Sequence, residues 1–199
     1  VGGHAGNGKQ QTVATLPTAC GRSHASSASA TAAAAIGPTS APAAAVATLP
    51  TEAGAAAVVI ELDTFGGAVD AALRIAAAIG AADKALTVAY VPASAEGMGV
   101  SWSAGALIAL SCRRIAMAPG TSIGAAAPVY LSQEGTVAAS EKEVSAMRAQ
   151  MAALAEKNGY NPAVALAMVD KDIELVEVLV GGEPTLVTAD EIPRLERAA

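Results

Sequence analysis

The chain has 199 residues, the usual size of one domain, and about half of its 53% hydrophobic residues are alanine. Only 3% of the residues are aromatic, so the core has to be built from small and aliphatic side chains. The 12 basic and 18 acidic residues give a net charge of −6 without any run of Lys or Arg, which excludes a basic surface for nucleic acid or anionic lipid.

The first 50 residues are rich in Ala, Ser, Thr, Gly and Pro and show no apolar periodicity before Ile36. This composition predicts a poorly ordered tail over residues 1–30, followed by a domain over residues 31–199. Residues 3–9 resemble a Walker A phosphate loop, but no strand precedes them, and Gln10 follows the lysine where such a loop needs Ser or Thr. Nucleotide binding is therefore not expected.

Strand patterns and helix patterns alternate from Val58 onward. Buried strands are predicted over residues 58–63, 86–91 and 114–117, and helices over residues 69–81 and 104–110. This alternation is typical of the α/β class, in which crossover helices connect the strands of a mostly parallel sheet.

The C-terminal part contains helix and hairpin signals. Ser140 and Glu143 form a capping box that begins a helix over residues 141–157, and a second helix is predicted over residues 162–169. A pair of glycines between two strand-like segments predicts a β-hairpin over residues 174–187.

The residue types limit the chemistry. Both histidines, His4 and His24, lie in the tail, and the two cysteines, Cys20 and Cys112, are far apart in the sequence. A Ser-His-Asp triad, a metal site and a disulfide scaffold are therefore not expected, and no cofactor is predicted. No stretch has the roughly 20 strongly apolar residues of a membrane-spanning helix, so the chain is expected to be soluble as given.

A serine with a lysine base is the nucleophilic arrangement that remains. Ser103 follows a glycine-rich loop and begins an Ala/Leu helix, where outward-pointing N–H groups favour developing negative charge. The N–H of Ala104 is a candidate oxyanion donor, and Gly67, at another strand-to-helix turn, is a candidate for the second. An alternative stays open, in which these residues are small because a helix and a sheet pack closely.

Lys142 is the candidate base. The capping box places it in the first turn of a helix, where the positive end of the helix dipole disfavours an ammonium group, and burial would disfavour it further. The alternative is a solvated lysine between Glu141 and Glu143. The residues alone do not decide between the two.

Four segments together resemble the NfeD family of membrane-bound serine proteases, which are of the ClpP class and related to signal peptide peptidase A. These segments are residues 60–67 (IELDTFGG), 103–105 (SAG), 117–125 (MAPGTSIGA) and 151–162 (MAALAEKNGYNP). The resemblance implies a ClpP/crotonase-like fold and a domain that cleaves peptide bonds with a Ser-Lys dyad.

Site residues carried over by this resemblance are Ser103 and Lys142 as the dyad, Gly67 and Ala104 as the oxyanion hole, and Gly66 and Phe65 as substrate-binding residues. The implied substrate is a peptide or protein with a hydrophobic segment, stomatin-like membrane proteins among them. The resemblance implies neither a cofactor nor a metal.

The resemblance also implies a setting for the domain. Family members are membrane-associated, with the protease domain expected on the extracytoplasmic side. ClpP-class domains associate, so a homodimer or higher homo-oligomer is expected, with the hairpin over residues 174–187 near the contact.

Two departures from the family leave other functions open. Phe65 stands where the family has a proline, and Trp102 is bulkier than the family's residues before the nucleophile. One alternative is a catalytically inactive ClpP-like assembly or binding module. Another is a crotonase-like acyl-CoA enzyme, which uses the same paired N–H groups on a thioester but needs a basic surface for which this chain has few residues.

Overall fold

The structure is a computed structural model that describes residues 30–33, 56–93, 97–132 and 135–198. The tail predicted over residues 1–30 lies outside the described residues, except for Ala30. In chain order the described elements are β1 (Ala30–Ala33), β2 (Ala57–Glu61), α1 (Val69–Ala81), β3 (Leu86–Val91), β4 (Val100–Trp102), α2 (Ala104–Ser111), β5 (Arg114–Met117), β6 (Ser122–Gly124), β7 (Val129–Ser132), β8 (Gly135–Ala138), α3 (Glu141–Asn158), α4 (Pro162–Val169), β9 (Leu175–Val180), β10 (Glu183–Thr188) and α5 (Ile192–Ala198).

The central sheet has four parallel strands in the order β1-β2-β3-β5. Its strands alternate in burial: Val58 and Ile60 of β2, and Ala89 and Val91 of β3, are buried on one face. The predicted α/β class with a parallel sheet is confirmed, and α1 and α2 are the helices that connect β2 to β3 and lead to β5.

The hydrophobic core lies between this sheet and helices α1 to α4, of which α4 contributes Val169. All eight residues of α2 are buried, which fits a helix made of Ala, Gly, Leu, Ile and one Ser. Helix α1 contributes Ile75 and Ile79, and α3 contributes Met147 and Met151. Because most of these side chains are aliphatic or small, the helices can approach the sheet closely.

Two small sheets were not predicted from the sequence. Strands β4 and β6 form a parallel pair, and β7 and β8 form an antiparallel hairpin. Each of these strands has only three or four residues, which is too short to show a clear period.

The C-terminal elements agree with the sequence signals. The capping box of Ser140 and Glu143 is present at the start of α3, and Gly159 ends that helix in the left-handed conformation. The predicted hairpin is confirmed as the antiparallel pair β9–β10. Within the described residues, no helix is both long and apolar enough to cross a bilayer.

Candidate active site

Ser103 lies at a sharp junction between β4 and α2. Its backbone has φ 52° and ψ −117°, and its N–H donates to the carbonyl of Gly124 at 2.8 Å. A positive φ at a residue with a side chain costs on the order of 1–3 kcal/mol and persists only where the surroundings enforce it. The junction therefore presents Ser103, half-buried, at the N-terminal end of a buried helix.

Gly66 brings a second chain segment directly against Ser103. Its φ is +130°, and a Cβ built on it would lie 2.6 Å from the Cβ of Ser103 and 3.0 Å from its Oγ. No other residue fits there without displacing the serine. The Oγ of Thr64 fixes this turn, because it accepts from the N–H of Gly66 at 3.0 Å and donates to the Gly66 carbonyl at 3.1 Å.

Each candidate oxyanion donor is the next residue in the sequence after one of the two residues in contact, Gly66 and Ser103. Gly67 follows Gly66, and Ala104 follows Ser103 as the first residue of α2, where an N–H has no partner within the helix. Within the described residues, neither the N–H of Gly67 nor that of Ala104 has an acceptor. Both N–H groups are thus available to bind a developing oxyanion.

Hydrogen bonds at the end of β2 explain why the two segments converge. The N–H of Thr64 donates to the carbonyl of Val100 at 2.8 Å, and the N–H of Trp102 donates to the carbonyl of Thr64 at 3.0 Å. The carboxylate of Asp63 accepts from the N–H of Met98 at 3.0 Å and of Val100 at 3.3 Å. Sequence reasoning missed the roles of Asp63 and Thr64, although both immediately precede the glycine turn.

A small cleft lies over Ser103, with room for about one water molecule. Its lining is apolar except for the serine itself: Val69, Ala72, Ser103, Ala104, Leu107, Ala126, Pro128 and Met147. An apolar side chain could lie beside the Ser103 hydroxyl only if this apolar lining moved apart.

Ser101, two residues earlier, is placed differently. It is 0% exposed, and within the described residues its Oγ has no hydrogen-bond partner. A Cβ built on Gly105 would lie 2.8 Å from that oxygen, so β4 and α2 are in close contact here. Close packing therefore accounts for Ser101 and Gly105, whereas Ser103 lies at the cleft.

Lys142 is exposed at the second position of α3. The buried face of α3 includes Met147 and Met151, and five residues of helix place Lys142 roughly 140° around the axis from Met147. The burial expected for this lysine is therefore not found in the single chain. The start of α3 nevertheless lies at the rim of the cleft, because the N–H of Ala139 donates to the carbonyl of Pro128 at 3.2 Å.

Glu143 holds the first turn of α3 in place. It accepts from the N–H and the hydroxyl of Ser140, and the hydroxyl of Tyr130 in the β7–β8 hairpin donates to it. These hydrogen bonds, that of Ser140 first, keep the pKa of the Glu143 carboxyl below its usual range. The carboxylate of Glu143, next to Lys142 in the sequence, therefore makes hydrogen bonds to Ser140 and Tyr130 and also interacts electrostatically with Lys142.

The structure therefore brings together four of the residues selected from the sequence, Ser103, Ala104, Gly66 and Gly67, and places the exposed Phe65 next to them. Lys142 is exposed on the first turn of α3, and within the described residues it makes no hydrogen bond to this group. No cluster of His, Cys, Asp and Glu suited to a metal ion occurs among the described residues.

The chain is similar in structure to proteins whose structures have been solved. The chain is similar to the 1510-N membrane-bound stomatin-specific protease with a lysine replaced by alanine, in complex with a substrate peptide, with a TM-score of 0.61 and 29% identity over 82% of this chain and 69% of that chain. It is also similar to a form of that protease with a serine replaced by alanine, with a TM-score of 0.57 and 31% identity over 74% of this chain and 65% of that chain.

Two curated relatives match the chain over part of their length. The membrane protein NfeD1b of Bacillus subtilis (strain 168) is 44% identical over 88 residues, which are 44% of this chain and 20% of that protein. The membrane-bound protease PH1510 of Pyrococcus horikoshii is 40% identical over 92 residues, 44% of this chain and 21% of that protein. The matched residues span about a fifth of each relative.

A family model extends the similarity over most of the chain. The model of the NfeD1b N-terminal domain matches residues 45–193, which include the Ser103 junction, the glycine turn and Lys142. The chain therefore belongs to the family of NfeD1b N-terminal domains.

Proposed function

We propose that this chain is a serine endopeptidase domain in which Ser103 is the nucleophile and Lys142 the general base. The observation that carries the proposal is the junction at Ser103: a strained serine at a helix N-terminus, against Gly66, beside two N–H groups without acceptors in the described structure. This arrangement offers the nucleophile and the oxyanion donors that acyl transfer to a serine requires, and Lys142 is proposed to supply the base.

The relatives support the same reaction. One curated relative is named a membrane-bound protease, and the similar structures are of a protease in which a lysine or a serine has been replaced. One of these structures contains a substrate peptide. Because the chain matches only about a fifth of the curated relatives, the activity of the whole protein is part of the proposal.

In the proposed mechanism, the amine of Lys142 takes the proton of the Ser103 hydroxyl while Oγ attacks the carbonyl carbon of the scissile peptide bond. The N–H groups of Gly67 and Ala104 stabilise the oxyanion that forms. The lysine then gives the proton to the leaving amine. Water hydrolyses the acyl-enzyme and restores Ser103.

The exposed position of Lys142 sets a requirement for this mechanism. Its amine has to be uncharged and within reach of the Ser103 hydroxyl, whereas the side chain is exposed at the start of α3, beside the cleft. We propose that a bound peptide or a second copy of the chain covers this rim and turns the first turn of α3 toward the cleft. Covering the rim would also remove water from Lys142 and so favour its uncharged form.

We further propose a ClpP/crotonase-like fold for residues 31–199 and a substrate with a hydrophobic segment, for which the apolar cleft is suited. Stomatin-like membrane proteins are candidates, since the similar structures are of a stomatin-specific protease. Membrane association of the full-length protein, with this domain on the extracytoplasmic side, belongs to the same proposal.

One alternative has a specific observation in its favour. The exposure of Lys142 is what an inactive assembly or binding module would show. The crotonase-like acyl-CoA alternative gains no such support, since the cleft is lined by apolar residues and is too small for a CoA group.

A fluorophosphonate probe separates an active serine from an inactive module. We expect covalent labelling of the wild-type chain, located at Ser103 by mass spectrometry, and no labelling of Ser103→Ala. Ser101→Ala is the matched control and should still be labelled, because Ser101 is buried away from the cleft. A folded wild-type chain that is not labelled, alone or with a hydrophobic peptide, would support the inactive module.

A further inference from the structure

We infer that Phe65 and Trp102 form an apolar subsite beside Ser103 that accepts a large apolar side chain of the peptide substrate. The inference rests on the proposed function and adds the residues that set its specificity. It concerns the two positions at which the chain departs from the pattern expected of its family.

The two aromatic residues meet at the site. The sequence contains one Phe and one Trp, and their rings lie 5.3 Å apart at an interplanar angle of 48°. This is the tilted geometry in which aromatic rings attract each other. In a chain with so few aromatic residues, this contact is a local feature of the site and not part of the core.

The pair lies on both segments that form the candidate active site. Trp102 immediately precedes Ser103, and Phe65 immediately precedes Gly66, whose backbone is packed against the serine. Phe65 is 59% exposed and Trp102 is 36% exposed, so the pair leaves apolar surface uncovered next to the nucleophile. Neither residue lines the cleft over Ser103, which makes the pair a separate surface.

A hydrogen bond holds the indole ring of Trp102 in position. The Nε1–H of Trp102 donates to the Oγ of Ser122 on β6 at 2.8 Å. Backbone hydrogen bonds fix the strand that carries it, since the N–H of Trp102 donates to the carbonyl of Thr64. A ring held in this way can bind a side chain without first losing much conformational freedom.

The occupant follows from the geometry of the proposed reaction. An extended peptide advances about 3.3 Å per residue, so a chain whose carbonyl lies at Ser103 carries its next side chains over the neighbouring residues. Those neighbours are the cleft and the aromatic pair. The exposed surface of the pair is aromatic ring, and the Asp63 carboxylate already accepts from the N–H groups of Met98 and Val100, so the occupant we infer is an apolar side chain.

Trp102 itself reports on occupancy, because it is the single tryptophan. The test uses Ser103→Ala, which cannot turn over, and a soluble peptide of four leucines flanked by lysines. We expect a saturable blue shift of the tryptophan emission, and about ten-fold weaker binding of a peptide in which alanines replace the leucines. Adding Phe65→Ala should weaken binding of the leucine peptide about ten-fold.

Leu86→Ala is the matched control. Leu86 is also an exposed large apolar residue, but it begins β3 at the amino-terminal edge of the sheet, opposite the glycine turn. Its loss should leave binding of both peptides unchanged. In the active chain, Phe65→Ala and Ser122→Ala should lower kcat/KM for the leucine peptide more than for the alanine peptide.

Equal affinity for the two peptides, or no saturable emission change with the leucine peptide, would overturn the subsite. This result is independent of catalysis, because the binding test is made without the Ser103 hydroxyl. Absence of Ser103-dependent labelling in the wild-type chain would overturn the proposed function instead.

Discussion

Ser103 and Gly66 depend on each other although they lie far apart in the sequence. The serine adopts a positive φ at the end of β4, and the turn after β2 reaches it only because residue 66 has no side chain. The same turn orients Gly67, whose N–H is proposed to bind the oxyanion. The candidate active site is therefore formed jointly by the serine and the glycine pair, and Thr64 fixes the glycine turn through its hydrogen bonds to Gly66.

Lys142→Arg tests the base. A guanidinium stays protonated at any pH at which the protein is folded, so it cannot take the serine proton. We expect Lys142→Arg and Lys142→Ala to lower kcat by about 100-fold or more, measured on the leucine peptide. Both variants should keep the wild-type Tm, because Lys142 is exposed and substitutions at such positions change stability little.

The control for this prediction is Lys157→Arg, at an exposed lysine in the last turn of the same helix. It should retain wild-type activity. If Lys142→Arg is also active, the residue supplies only a positive charge and the proposed dyad is wrong.

At the residue scale, the features that could be predicted are those that a few consecutive residues determine. A serine before a buried helix and a glycine pair after a strand could be recognised, and the structure brings them together. The exposure of Lys142 agrees with the solvated alternative, which the residues alone could not decide because it depends on which face of α3 turns to the core. The contact between Phe65 and Trp102 was also missed, since it joins residues on separate segments.

At the scale of elements, burial and length decided what could be predicted. Strands β2, β3 and β5 of the central sheet and helices α1 and α2 were predicted closely, because apolar runs such as β3 are bounded by Pro and turn residues. The alanine-rich strand β1 was not predicted, because its residues carry no apolar pattern. The pairs β4–β6 and β7–β8 were not predicted either, because strands of three or four residues are stabilised by hydrogen bonds to distant partners. One of these pairs carries the strand that ends at Ser103.

An ionic contact ties α3 to the end of α4. Arg148, in α3, pairs with Asp170, the residue that follows α4, and also with Glu141 at 2.5 Å. The Asp170 carboxylate accepts from the N–H of Asp172 at 3.0 Å as well. These contacts, that of the Asp172 N–H first, hold the pKa of the Asp170 carboxyl below its usual range.

Asp170→Asn should remove a pH-dependent part of the stability. A carboxyl with a lowered pKa in the folded state stabilises the fold above about pH 4, and this contribution is lost as the pH falls through the folded pKa. We expect Asp170→Asn to lower Tm by about 2–4 °C at pH 7, with a difference from wild type that shrinks below about pH 4. Thermal unfolding followed by circular dichroism across this range measures both.

Asp70→Asn is the control at this scale. Asp70 pairs with Arg74 across one turn of α1 at 3.2 Å, but both side chains are largely exposed. Such surface pairs contribute little, so Tm should be nearly unchanged at every pH. A difference between Asp170→Asn and wild type that persists unchanged at low pH would show that the carboxylate charge is not what stabilises the contact.

At the scale of the whole molecule, the chain presents apolar surface that a monomer would leave in water. The β9–β10 hairpin exposes Leu179, Val180 and Leu186, and the β7–β8 hairpin exposes Val129 and Val137. Leu179 and Leu186 lie on the same face of the β9–β10 hairpin, and an exposed apolar face commonly marks an interface. The β7–β8 hairpin lies beside the rim of the cleft, because the N–H of Ala139, which follows β8, donates to the carbonyl of Pro128, which precedes β7.

We therefore predict a homodimer or higher oligomer with the β9–β10 hairpin near the contact. Light scattering at tens of micromolar protein should give at least twice the mass of the chain. Leu179→Asp should weaken association by about ten-fold or more, because Leu179 is 74% exposed in the single chain and a carboxylate there would be buried without a partner. Leu73→Asp, at an exposed leucine of α1, should leave the mass unchanged. A monomeric wild-type chain would contradict the prediction. A bound peptide would then be the remaining candidate for bringing Lys142 toward Ser103.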